Sequence, residues 1–283
     1  MSYRCQVCQR RWYSRTCPMP RLKPIRYEPL CRFKMKLSII SPTYNESENV
    51  SPLIAALEQA LGGIDYEIVI SDDDSPDLTW ARVEQIGRRN GRVRALRRTS
   101  NRGLGPSVMH GFSLASGEAV ACIDADLQHD PSILPTMLER LEQGADLVVA
   151  TRYMAGGGTT NWNAMRRLLS SAATHMTRLL LGVRLQDPMS GYFMLRRKDF
   201  LRVRNELNVR GFKILLEIAA RMKPRVVAEV PYTFRPRIFG HSKLSTKIVF
   251  AFVRQLWSLS LHNGIQQHGG NFSHRKGSLN APR

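Results

Sequence analysis

Short apolar runs alternate with longer amphipathic stretches from Met35 to about residue 150. Leu37-Ser-Ile-Ile40, Tyr66–Ile70, Val93–Leu96, Ala119–Ile123 and Asp146–Ala150 are brief and largely apolar, and they predict strands. Between them the spacing predicts helices. The first begins at Asn49 or Ser51, tolerates Pro52 in its first turn, and ends at Leu61 before Gly62-Gly63. The others cover Thr79–Arg89, Gly105–Ala115 and Ile133–Gln143. Strands that alternate with helices, and are apolar on both faces, imply an α/β fold with a mostly parallel central sheet flanked by helices. Ligands of such sheets bind in the crevice beyond the carboxyl ends of the strands.

Composition adds a charge. Hydrophobic residues make up 43% and charged residues 23% of the 283-residue chain, which excludes wholesale disorder. The net charge of +19 points to an anionic partner. Residues 1–34 carry nine basic residues against the single acid Glu28, show no strand or helix period, and read as a basic, disordered extension. Four of the five cysteines lie there, with Cys5 and Cys8 in a C-x-x-C pair. No second close pair follows, so zinc is the weaker reading. Met35 stands directly before the first clear strand and is an alternative start.

Candidate chemistry gathers at the strand ends. Asp124 and Asp126 follow the fourth strand one residue apart, so alternation turns both carboxylates to one side, where they can share a hard cation. Gln128 offers a third oxygen. Asp72-Asp73-Asp74 closes the second strand, and three adjacent carboxylates demand cations or hydrogen-bond donors, as a nucleobase edge or ribose would supply. The bland alternatives are a capped turn after the fourth strand and an Asp–backbone turn after the second. A dinucleotide site is disfavoured, because the first strand runs into Pro-Thr-Tyr-Asn-Glu with no glycine fingerprint.

Seven short motifs then occur in order: Pro42–Glu46 (PTYNE), Asp72–Asp77 (DDDSPD), Asn101–Gly105 (NRGLG), Asp124–Pro131 (DADLQHDP), Thr151–Tyr153 (TRY), Asp187–Tyr192 (DPMSGY) and Arg237–Leu244 (RIFGHSKL). Together they resemble the family-2 glycosyltransferases of GT-A fold, specifically the dolichol-phosphate (polyprenol-phosphate) mannose synthase group, over roughly residues 35–250. The resemblance implies transfer of mannose from GDP-mannose to a polyprenyl monophosphate. It implies a nucleotide-sugar pocket of Pro42, Tyr44, Glu46, Ser71, Asp73, Ile123, Asp124, Ala125, Asp126, Arg152, Arg237 and Lys243. Asp124, Asp126 and Gln128 would hold Mg²⁺ or Mn²⁺. Arg152, Arg166 and Lys243 would hold the acceptor phosphate, and Asp126 and Arg237 would be catalytic. Two positions depart from the family's pattern: Leu78 stands where glycine is frequent, and His241 where glutamate is.

A lipid acceptor requires contact with a membrane. The segment Asn163–Leu181 carries apolar residues at near-helical spacing together with Arg166, Arg167 and Arg178, and membrane contact and core packing fit it equally. Ile248–Leu261 is too short and too charged to span, and residues 247–263 read as a membrane-interface helix. Residues 264–283 read as a disordered tail. The expected domain is 35–246, peripheral on the cytoplasmic face of a membrane, with a membrane-protein partner left open. Two rival functions remain. One is transfer from UDP-glucose or another UDP-sugar to undecaprenyl phosphate. The other is nucleic-acid binding, which the charge suggests but no motif or aromatic platform supports, so no nucleic-acid partner is expected. Cys122, inside a strand, reads as inert core, and His129 as structural or substrate-adjacent.

Overall fold

A computed structural model describes residues 34–159, 174, 177, 185–208 and 214–237. The amino-terminal cysteines, most of the 163–181 segment, Arg166, His241, Lys243, the 247–263 helix and the tail lie outside the described residues.

Nine strands and six α-helices are described. The strands are β1 (Leu37–Thr43), β2 (Tyr66–Asp72), β3 (Val93–Arg97), β4 (Ala119–Cys122), β5 (Leu147–Thr151), β6 (Gly158–Thr159), β7 (Phe193–Arg196), β8 (Val227–Pro231) and β9 (Thr233–Phe234). The helices are α1 (Ser47–Ala60), α2 (Thr79–Gly87), α3 (Leu104–Leu114), α4 (Leu134–Glu142), α5 (Arg197–Val203) and α6 (Ile214–Met222). Seven strands form one sheet in the order β3-β2-β1-β4-β7-β5-β8, and β6 pairs with β9. Within the large sheet only β7 runs antiparallel to its neighbours.

Alternation along each strand divides the core between the two faces. Leu37, Ile39, Ile68, Ile70, Ala121 and Val148 pack with Val50 and Leu53 of α1, Val83 of α2 and Leu138 of α4. Ile40, Val69, Val120, Leu147 and Val149 point the other way, against Val108 and Phe112 of α3, Phe200 of α5 and Ile218 of α6. Phe112 meets Phe200 and Phe193 edge-on, with centroids 5.2 and 6.0 Å away, the geometry favoured by ring quadrupoles. Helix α3 can lie this close because residue 111 is glycine: a Cβ there would sit 2.5 Å from Ile40 Cγ2.

The parallel register fixes where the loops emerge. Thr43 of β1 lies opposite Asp72 of β2, and Ile40 opposite Cys122 of β4. The carboxyl ends of β1, β2 and β4 therefore open onto one edge, where the sequence places its carboxylates.

Candidate active site

The β1–α1 and β2–α2 loops are stitched into one wall. Asp72, fully buried, accepts hydrogen bonds from Thr43 Oγ1 (2.8 Å), Ser75 N (2.8 Å) and Ser75 Oγ (2.6 Å). Ser75 Oγ accepts in turn from Asn45 N (2.9 Å), and Thr79 Oγ1 from Glu46 N (3.0 Å). Asp77 is lowered in pKa: burial opposes ionisation, but donors from Thr79 and Ser47 outweigh it. Asp73 reaches the other way, to Arg98 and to Gly103 N (2.6 Å). Burial, the largest influence, keeps its carboxyl raised despite these partners. Asp74 pairs with Arg97 (2.7 Å) and Arg102. The repulsion expected among three adjacent aspartates is thus relieved by a separate partner set for each.

Strain concentrates on this rim. Asn45, Asp74, Leu78, Asn101 and Leu127, all in loops after β1 to β4, have positive φ, and among the described non-glycine residues only Lys223 shares that conformation. Leu78 has φ 59°, a left-handed backbone that suits glycine, so the leucine that departs from the expected pattern sits there under strain.

These loops enclose a cavity of about 590 Å³. Of the expected nucleotide-sugar residues, Pro42, Tyr44, Glu46, Asp73, Asp124, Ala125, Asp126 and Arg237 line it. Four others do not. Ser71 is buried, its hydroxyl donating to Ser107 O (3.0 Å) while Ser107 Oγ donates back to Ser71 O (2.8 Å), so it ties β2 to α3. Ile123 belongs to the core. Gln128 lies beside the cleft, its side-chain amide donating to Arg235 O at 3.0 Å. Arg152 forms a buried fork with Asp187 (2.6 and 2.8 Å), which raises the pKa of its guanidinium even though burial works against the charge. Sequence reading missed Thr43, Arg102, Gly103, Leu104 and Ser107 as lining residues. The Asn101–Gly105 motif signalled three of them.

Asp126, like Asp73, is held by an arginine and a backbone N–H. Its Oδ2 accepts from Arg237 (2.7 Å) and its Oδ1 from Gln128 N (3.2 Å), and Arg237 also lies 3.7 Å from Glu46. Burial first, then the charge of Asp124, raises its pKa against the pull of His129 and Arg237. Two carboxylates that repel in a partly dehydrated site are a donor set suited to a divalent cation. Among the described residues no three acidic, histidine or cysteine side chains converge on one point. The close approach of Gly191 shapes the site: a Cβ there would lie 2.9 Å from Asp124 Oδ2.

Behind the carboxylates sits a packed aromatic cluster. His129, 3% exposed, lies 5.2 to 5.6 Å from the rings of Tyr192, Tyr232 and Phe234, and its Nδ1 accepts the Asp124 backbone N–H (3.2 Å). It fixes the backbone from which Asp124 projects. Cys122 is a free, buried thiol whose pKa is raised by burial and then by Asp124, as inert core requires.

The profile of the glycosyl transferase family 2 matches residues 38–204, more than half of the chain and all of this wall. The chain belongs to that family. The transferase is 42% identical over 232 residues to a dolichol-phosphate mannosyltransferase of Pyrococcus furiosus, covering 81% of this chain. It spans 65% of that relative's length. It is 38% identical to the enzyme of the same name from Saccharomyces cerevisiae, covering 80% of this chain and 87% of the yeast protein. These matches place the transferase in the dolichol-phosphate mannosyltransferase group. Among solved structures it resembles glucosyl-3-phosphoglycerate synthase of Mycobacterium tuberculosis bound to Mn²⁺ and UDP-glucose, with 19% identity, a TM-score of 0.57, and coverage of 81% of this chain and 79% of that one. Mannosyl-3-phosphoglycerate synthase of Rubrobacter xylanophilus gives 19% identity and a TM-score of 0.59, covering 87% and 79%. These likenesses establish the GT-A fold. No helix among the described residues is long and apolar enough to cross a membrane.

Proposed function

We propose that this chain transfers a mannosyl residue from GDP-mannose to a polyprenyl (dolichyl-type) monophosphate, with inversion at the anomeric carbon, at the cytoplasmic surface of a membrane. The observation that carries the reading is the meeting of Asp124, Asp126 and Arg237 in one cleft, in a chain whose relatives are named dolichol-phosphate mannosyltransferases. Pro42, Tyr44, Glu46 and Asp73 form the wall for the nucleotide, with Thr43, Gly103 and Ser107 beside them.

Asp124 and Asp126 would hold Mg²⁺ or Mn²⁺, with Gln128 an adjoining oxygen donor. Such an ion supplies Lewis-acid neutralisation of the leaving diphosphate. Arg237 adds a planar cation to the same wall, suited to phosphate oxygens, and its pairing with Asp126 and Glu46 holds it in position. Arg152, buried in its fork with Asp187, stays off the lining of the cleft, so the acceptor phosphate falls to Arg166 and Lys243, outside the described residues. The acceptor is a phosphate monoester whose second pKa lies near ~6, so at neutral pH it is largely a dianion. It can attack the anomeric carbon without surrendering a proton to the enzyme. No histidine lines the cleft among the described residues, and the reaction as written needs none.

The test is a transfer assay with purified protein, polyprenyl phosphate and Mg²⁺ or Mn²⁺, with labelled GDP-mannose and UDP-glucose supplied separately, each with and without EDTA. EDTA-sensitive label in the lipid phase from GDP-mannose alone supports the reading. Label from UDP-glucose alone overturns the donor, and an axial-proton NMR measurement showing retention overturns the single displacement. Asp126→Ala should lower transfer by at least ~10²-fold, the scale for removing a charge-stabilising group.

A further inference from the structure

On the other side of the Asp73 wall lies a second cavity of about 440 Å³, between the loop after β3 and the exposed face of α3. Arg97, Arg98, Thr99, Ser100, Asn101, His110 and Ser113 form its polar lining, and among the described residues no carboxylate lines it. One guanidinium group, that of Arg98, is fixed against it, whereas Arg97 turns its own towards α2. Arg98, with a side chain only 4% exposed, donates to Asp73 and to the Asn101 carbonyl. Arg97 is held by Asp74 at 2.7 Å and stacks 3.9 Å over Trp80. Asp74 also serves Arg102, so it is one carboxylate shared by two cations. Burial first, then the charges of Arg98 and Arg94, hold the His110 imidazole below its ordinary value.

We propose that this cavity binds a phosphate-class oxyanion, and that its occupancy is coupled to the donor cleft through the Arg98–Asp73 ion pair. The Arg98 guanidinium with the hydroxyls of Thr99, Ser100 and Ser113 and the amide of Asn101 matches the donor pattern that a tetrahedral oxyanion accepts. The volume exceeds that of a bare phosphate and suits a small phosphate monoester. Asp73 lines the donor cleft and Arg98 lines the second cavity, so one ion pair forms part of both walls. An anion that draws Arg98 competes with Asp73. By linkage, whatever frees Arg98 from Asp73 must strengthen the anion site.

Calorimetric titration of the full chain with inorganic phosphate tests both claims. Saturable binding should weaken at least ~10-fold in His110→Glu, which places a negative charge in the cavity from an exposed helix position and leaves Tm unchanged. Asp73→Asn should tighten phosphate about 5-fold, at the low end of ordinary coupling, and Asp73→Asn combined with His110→Glu should lose that gain. No saturable binding, or equal binding by His110→Glu, overturns the site. Unchanged affinity in Asp73→Asn overturns the coupling. Vesicles containing phosphatidic acid, added as competitor, separate two sources of the same chemistry: displacement of phosphate identifies a lipid headgroup as the ligand, and its persistence identifies a free anion. None of these measurements uses glycosyl transfer, so they stand or fall apart from the proposed reaction.

Discussion

Replacing Gly191 with alanine separates the geometry of the cleft from the stability of the fold. The new Cβ would lie 2.9 Å from Asp124 Oδ2 and 3.4 Å from Cγ and Oδ1, so the carboxylate must move about half an ångström to reach ordinary contact at ~3.5 Å. The backbone on either side cannot easily yield. Ser190 and Tyr192 are tied by reciprocal bonds of 3.1 and 3.2 Å, and the Asp124 main chain is held by His129. The side chain of Asp124 is 37% exposed and can rotate towards solvent. An off-rotamer adjustment costs about 1 kcal/mol, equivalent to roughly 2–4 °C in Tm for a domain of this size. Catalysis tolerates misplacement less well: a carboxylate displaced on this scale should lower kcat/KM by about 10–100-fold. Thermal unfolding and steady-state transfer by the same preparation read both quantities. Unchanged kcat/KM would refute a role for Asp124 in this position. A Tm loss above ~10 °C would show that Gly191 serves packing instead.

Two further substitutions probe the frame. Glu67 accepts from Ser38 Oγ (2.6 Å) and Ser116 N (2.6 Å) and pairs with Arg94, and although burial opposes its charge these partners hold its pKa at about 2 against 4.5 when unfolded. Its depressed pKa stabilises the fold by about 3 kcal/mol above pH 4.5 and loses that contribution as pH falls towards 2, so urea unfolding from pH 7 to pH 3 should show a steeper decline for the native chain than for Glu67→Gln. Leu78 is 57% exposed with φ 59°, so Leu78→Gly relieves a left-handed residue at little packing cost and should raise stability by about 1 kcal/mol in the same assay.

Much of this architecture was legible because its signals are local. The first five strands and four helices follow from apolar runs and periodicity, and every predicted boundary falls within a few residues of its observed place. The later strands were harder to read. Phe193–Arg196 is four residues long and runs directly into a helix, so no period distinguishes it. Val227–Pro231 is a short strand that ends in a proline and alternates weakly, and it lies at the edge of the sheet. In the site, carboxylates beyond strand ends pointed to the cleft, whereas the commitments of individual side chains did not show. Nothing local in Thr151-Arg-Tyr153 indicates that Arg152 is gripped by Asp187, thirty-five residues away. Nothing in Asp187–Tyr192 indicates that Gly191 makes room for Asp124.

The aspartate run shows most clearly what the fold adds to the sequence. Three identical neighbours suggest one shared duty, yet their surroundings assign three. Asp72 is sealed beneath the wall and accepts three hydrogen bonds from two loops, so Asp72→Ala strands donors of Thr43 and Ser75 in a dry site and should cost about 2–4 kcal/mol. Asp73 faces the cleft while anchoring Arg98 and Gly103, so Asp73→Ala should weaken nucleotide-sugar binding more than it weakens the fold. Asp74 pairs with two half-exposed arginines, and exposed pairs contribute roughly 0–1 kcal/mol, so Asp74→Ala should leave stability within that range. Denaturant unfolding and donor titration of the three variants test this order together. Equal losses across the three would mean that the carboxylates act as one electrostatic unit, and the separate hydrogen-bond partners would then carry none of the distinction drawn from them.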